Sequence, residues 1–92
     1  MAECKVEFFG IPRQRAQVAE LTVHLEGSSP TLSDLLQRLA GELPDFGRDC
    51  VVDNRLADGY IANRNGEEFL TDTSTPLPSI CTILIMSADA GG

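Results

Sequence analysis

The chain has 92 residues, 42% of them hydrophobic and 23% charged, with four Phe, one Tyr and no Trp. That is enough to bury one modest core and excludes a second independent one. Fourteen acidic residues against seven basic ones leave a net charge of -7, which argues against a nucleic-acid partner because affinity for phosphate backbones comes from Lys and Arg.

The opening MAECKVEFF carries Glu3 and Glu7 where a secretory signal would need a basic start and an apolar run, and the longest apolar stretch, ICTILIM, is too short to span a bilayer. A cytoplasmic protein with no membrane partner is the expectation. In CKVEFF, Cys4, Val6 and Phe8 alternate with Lys5 and Glu7, the period of a half-buried strand. GIPRQRAQVA reads as a polar, basic connection, a loose hairpin too short for a crossover helix. ELTVHLE then places Leu21, Val23 and Leu25 on one face of a second strand, antiparallel to the first.

After GSSP, Thr31 is placed to cap a helix, with Asp34 completing an acidic variant of the capping box. Leu32, Leu35, Leu36, Leu39 and Leu43 follow as one apolar stripe, and Pro44 ends the helix. Residues 45–59 mix turn formers with isolated apolar residues and predict an irregular loop with Phe46 and Leu56 tucked inward. In YIANRNGEEFL, Asn65-Gly66 marks a tight hairpin between two short strands. TDTSTPLPS predicts a turn or a short tight helix, and CTILIM, apolar on both faces apart from Thr82, predicts a central strand.

One amphipathic helix covers only one face of such a sheet. The expected fold class is therefore α+β, a ubiquitin-like β-grasp: a mixed sheet of four to five strands, one main helix packed on one face, and the last strand parallel to the first in the centre. The expected organisation is a single domain over residues 1–86 and a flexible Gly-Gly tail over residues 87–92. Alternation also assigns an outer face. If Val6 and Phe8 point at the helix, Phe9 points away, and Leu84 and Met86 point away when Ile83 and Ile85 face in. Phe9, Leu84 and Met86 then form an exposed apolar patch near the exit of the tail, a docking face unless the 45–59 loop folds over it.

Few residues are arranged for chemistry. His24, the only histidine, sits on the polar face of a strand and has no nucleophile to activate. DNRLADG resembles the start of a calcium loop but has Arg55 where an oxygen ligand is required. Cys4, Cys50 and Cys81 are widely spaced, without a CxxC pair, and read as reduced thiols, with Cys4 and Cys81 as small core residues of strands. No phosphate cradle is apparent, and no catalytic residue, metal site or bound cofactor is expected. What remains is the ending SADAGG. A side-chain-free arm can thread a narrow channel into another protein's active site, and the reactive group is then the carboxylate of Gly92.

In this order, VEFFGIPR, TLSDLLQRLAGELP, NGEEFLTDTSTPL and ILIMSADAGG resemble the first strand and basic loop, the capped helix, the hairpin and turn, and the last strand and tail of the ubiquitin-like sulfur carriers. That family is typified by the small subunit of molybdopterin synthase and the thiamine sulfur carrier (MoaD/ThiS). The resemblance implies that Gly92 is adenylated by an E1-like adenylating and sulfurtransferase enzyme that uses ATP, and is then thiocarboxylated. It implies that Asp89, Ala90 and Gly91 thread the tail into partners. A sulfur-accepting synthase, such as the large subunit of molybdopterin synthase, would receive the sulfur. Thiamine, cysteine and other sulfur metabolites stay open as destinations, as does conjugation to protein lysines through Gly92. The tail differs from the Pro-containing family pattern, and the segment GRDCVVDNRLADGYIANRNG is longer than in compact members.

Overall fold

The computed structural model describes residues 1–88. Strand β1 (Ala2–Phe8) buries Ala2, Cys4, Val6 and Phe8 in strict alternation. The connection predicted as a loose hairpin contains a short helix, α1 (Ile11–Ala16). Its start is set by Gly10 at φ 62° and by Pro12 in the first turn, where the missing N–H costs no hydrogen bond. Its end is set by Gln17 in the left-handed region. Only Pro12 and Ala16 are buried, so the helix has no apolar stripe for periodicity to reveal.

Strand β2 (Glu20–Leu25) pairs antiparallel with β1, matching Val23 to Cys4 and Leu21 to Val6. Helix α2 (Leu32–Glu42) begins at the predicted cap. The Asp34 amide donates to Thr31 Oγ1 at 3.3 Å, and the Asp34 carboxylate accepts from the Thr31 amide at 2.8 Å. Leu32, Leu35, Leu36 and Leu39 are fully covered, each contributing about 2 kcal/mol from surface removed from water.

The irregular loop expected over residues 45–59 is instead ordered. Pro44 both closes α2 and opens α3 (Pro44–Cys50), because proline is as well suited to a helix's first turn as to its end. Phe46 is buried as expected, its ring edge-on to Phe8 with centroids 5.2 Å apart. Gly47 lets the two helices approach; a Cβ there would lie 2.8 Å from the Ala40 backbone. Strands β3 (Val51–Val52) and β4 (Arg55–Leu56) form a minimal hairpin. It turns at Asp53 and Asn54, whose φ values of 52° and 60° are those of the turn favoured by strand twist.

Strand β5 (Tyr60–Arg64) and β6 (Glu68–Leu70) flank the predicted Asn65-Gly66 turn, where both residues have positive φ. Asn65 also ties the turn to the sheet, its side-chain oxygen accepting from the Thr82 amide at 2.9 Å. The segment after β6 is a turn rather than a helix; the Ser74 amide and hydroxyl both donate to Asp72. Strand β7 (Ile80–Ser87) completes a five-stranded sheet of order β2-β1-β7-β5-β6. It lies parallel to β1 and antiparallel to β5. The fold is the expected β-grasp, with α2 as the longest helix among the described residues. The leucines of α2 share one core with Cys4, Val6, Phe8, Ile83 and Ile85.

Candidate functional site

The strand registers fix what lies on the sheet face away from α2. Phe69 is matched to Asn63, Asn63 to Leu84, and Leu84 to Glu7, so these four residues form one row across β6, β5, β7 and β1. A second row pairs Ile61 with Met86. Phe9 continues β1 beside them, its amide donating to the Ile85 carbonyl at 3.0 Å. Phe9 and Phe69 are exposed, while Leu84, Met86 and Ile61 are half-buried. Phe9, Leu84 and Met86 thus lie where alternation put them, on one face. Residues 44–59 fold against α1 and α2, and Phe46, Cys50, Val51 and Leu56 join the core. Phe9, Glu7, Thr82 and Leu84 also line a shallow depression on the outer face together with Asn65 and Gly66.

Asn63 is the unusual member of the first row. It is 6% exposed, and its Oδ1 has no hydrogen-bond partner among the described residues. Leaving a buried polar atom unpaired costs about 1–3 kcal/mol. Sequence reasoning passed over both Asn63 and Phe69 as parts of a hairpin; their shared phase with Ile61 was the available signal.

Polar groups elsewhere on this face are matched internally. Lys5 pairs with Glu20 at 3.2 Å, and His24 meets Glu3 at 3.1 Å. Glu7 makes no ion pair among the described residues. His24 is exposed, as expected of a strand surface residue.

The last strand leads the chain out at the end of this face. Ser87 is still paired with Tyr60, and the Ala88 amide donates to the Gly59 carbonyl at 2.7 Å. Strand β7 therefore includes Ser87, the first residue assigned to the tail. Asp89, Ala90, Gly91 and Gly92, the predicted threading and activation residues, lie outside the described residues.

The cysteines are core groups. Cys4 and Cys81 face each other across β1 and β7 with their sulfurs 3.4 Å apart. Burial, reinforced by the hydrogen bond and the charge of Cys81, pushes the Cys4 thiol up to about 12. Burial also raises Cys50. A protonated thiol is a poor nucleophile. On the other side of the molecule, a cleft between α2 and β5 is lined by Leu32, Leu36, Leu56, Tyr60 and Leu70, and its charged rim residues Arg55 and Asp72 are exposed. Among the described residues no group of His, Cys, Asp or Glu side chains could hold a metal ion, and no helix is long and apolar enough to cross a membrane.

This arrangement, a mixed sheet with parallel outer-chain strands at its centre and a helix gripped on one side, defines the ubiquitin-like β-grasp class. Among solved structures, small archaeal modifier protein 1 from Haloferax volcanii superposes with a TM-score of 0.79 at 22% identity, covering 99% of this chain and 100% of that one. Small archaeal modifier protein 1 from Methanosarcina acetivorans gives a TM-score of 0.73 at 24% identity, covering 100% and 98%. A protein from Pyrococcus furiosus described as molybdopterin converting factor, subunit 1, gives 0.73 at 18%, covering 95% and 98%. At these identities the likeness establishes the fold. No protein-family model matches the sequence, and no curated protein matches it.

Proposed function

We infer that this chain is a ubiquitin-like carrier that works through the carboxyl group of Gly92, in the manner of the MoaD/ThiS sulfur carriers. The observation that carries the reading is the end-to-end match to a molybdopterin converting factor subunit and to small archaeal modifiers, covering 95–100% of this chain. Within that fold, the central strand β7 leads directly to the SADAGG segment.

In the proposed reaction an E1-like enzyme joins the Gly92 carboxylate to the α-phosphate of ATP and releases pyrophosphate. A sulfide-level sulfur nucleophile then displaces AMP from the acyl adenylate and leaves a thiocarboxylate. The chain supplies no catalytic group of its own; it presents the atom. Asp89, Ala90 and Gly91 thread the enzyme's channel, where glycine's lack of a Cβ permits close approach. Phe9, Leu84 and Met86 dock the body. A synthase accepts the sulfur, with molybdopterin assembly as the proposed pathway and thiamine, cysteine or another sulfur metabolite as alternatives. We place this work in the cytoplasm, in keeping with the sequence expectation.

The likeness to small archaeal modifiers favours one second reading, conjugation of Gly92 to protein lysines. Co-expression with a cognate activating enzyme separates the two by intact mass. One terminal oxygen replaced by sulfur supports the carrier, and isopeptide-linked adducts support the modifier. If deleting Gly91 and Gly92 leaves partner-dependent activity untouched, both readings fall.

A further inference from the structure

We propose that Asn63 is a specificity-determining contact for the activating enzyme: its side-chain oxygen is held unsatisfied in the free protein and gains its hydrogen bond only when the outer sheet face is covered. The proposal rests on the carrier reading for the identity of the partner. It deepens that reading by naming a docking contact that alternation of apolar residues does not reveal.

Three observations converge on Asn63. Its Oδ1 is buried without a partner in an otherwise well-satisfied molecule; among the described residues it is the one buried side-chain polar atom so placed. Native proteins keep such groups scarce because each one weakens the fold, and a local violation of that rule marks functional sites. Its cross-strand neighbours are Phe69 and Leu84, and Phe69 leaves 60% of its surface in water on a three-residue edge strand. On β1 the row reaches Glu7, which has no ion pair among the described residues, whereas Glu20, matched to it on β2, pairs with Lys5 and Glu3 meets His24.

The occupant these features fit is a protein face with three properties. It is apolar at its centre to cover Phe69, Leu84, Met86 and Phe9. It presents a hydrogen-bond donor opposite Asn63, and it carries a basic side chain opposite Glu7, in keeping with a chain of net charge -7. Docking displaces the Phe69 and Leu84 side chains enough for the Asn63 amide to turn outward. The donor then satisfies an oxygen that water cannot reach in the free protein. Because β7 carries Leu84 and Met86 on this face and also leads into the tail, a partner seated here holds the tail's exit at a fixed place.

The test is calorimetric titration of the source organism's ATP-dependent adenylating enzymes, one at a time, with the wild-type chain, Asn63→Val, Asn63→Thr, and the chain lacking Gly91 and Gly92. Thermal midpoints of each are measured alongside. Asn63→Val removes the unsatisfied group and suits a central strand, so its midpoint should rise by a few degrees while its affinity falls about tenfold or more. Asn63→Thr, which keeps a hydroxyl, should recover part of that affinity. The truncated chain should still bind within a few-fold of wild type but release no pyrophosphate.

A lower midpoint for Asn63→Val would mean the amide is structural and would overturn the proposal. So would unchanged affinity, or failure of the wild-type chain to bind any of these enzymes. If wild-type and truncated chains both bind and neither supports pyrophosphate release, the carrier reading fails, and a tenfold loss of affinity in Asn63→Val still assigns Asn63 to the contact.

Discussion

The two faces of the central sheet are built from the same kinds of residue and meet different fates. On the inner face Cys4, Val6, Phe8, Ile83 and Ile85 are all at or below 5% exposure beneath α2 and α3. On the outer face Phe9, Leu84, Met86, Ile61 and Phe69 have comparable apolar bulk and stay exposed or half-buried. Hydrophobic burial accounts for the inner set, since each side chain removed from water contributes about 1.5–3 kcal/mol. The outer set, exposed or half-buried, contributes less to the isolated fold, and on the proposed carrier it is the surface left for partners. The contrast teaches that alternation along a strand gives the two faces, and that the number of covering elements tells which face is a core and which stays open to solvent.

The largest effect separating the faces should come from the inner one. Phe46→Ala removes a ring packed edge-on to Phe8, and equilibrium denaturation should show a loss of about 3–5 kcal/mol. The fraction that remains folded should bind partners normally, because nothing on the outer face has changed.

Gly47→Ala should follow at about 1–3 kcal/mol, since the new Cβ would press on the Ala40 backbone at 2.8 Å and force the two helices apart. A null result in denaturation would mean that the α2–α3 contact relaxes freely.

A pH titration reads the same inner face without mutation. The unfolded chain gives up the Cys4 proton near the ordinary value of 9.0, whereas the folded chain holds it to about 12. The folded state therefore binds more protons in that window, and stability falls as pH rises from 9 toward 12. The contribution is fully present below 9. Cys4→Ala should flatten this alkaline slope in a series of denaturation curves.

The smallest stability change belongs to the outer face. Phe69→Ser should shift unfolding by no more than about 0.5 kcal/mol, yet weaken binding to the activating enzyme several-fold. A large loss of stability instead would erase the distinction between the faces.

Much of this architecture was legible in the sequence because it is carried by local chemistry. Thr31 and Asp34 spell out a cap, the leucines from Leu32 to Leu39 keep helical spacing, and Asn65-Gly66 supplies the positive φ values its turn requires. Helices α1 and α3 were missed for physical reasons. Proline at a helix start and proline at a helix stop look alike in sequence; Pro12 is a start, and Pro44 is a stop for α2 and a start for α3. Neither helix is longer than seven residues, too short for an apolar stripe to emerge. In α3 the spacing of Phe46 and Cys50, i and i+4, was the one periodic clue.

At the candidate site, the shared face of Phe9, Leu84 and Met86 followed from alternation alone. Asn63 did not, because an unsatisfied amide is a property of three-dimensional surroundings. Nothing in the letters around Asn63 records that Phe69 and Leu84 flank it from neighbouring strands.

The most direct test of the proposed carrier function is the intact mass of this chain after co-expression with a cognate ATP-dependent activating enzyme. The predicted result is a species in which one oxygen of the Gly92 carboxyl group is replaced by sulfur, abolished by deleting Gly91 and Gly92 and reduced by Asn63→Val. An unaltered mass alongside an enzyme that demonstrably binds the chain, or conjugates joined only through isopeptide bonds, would contradict it.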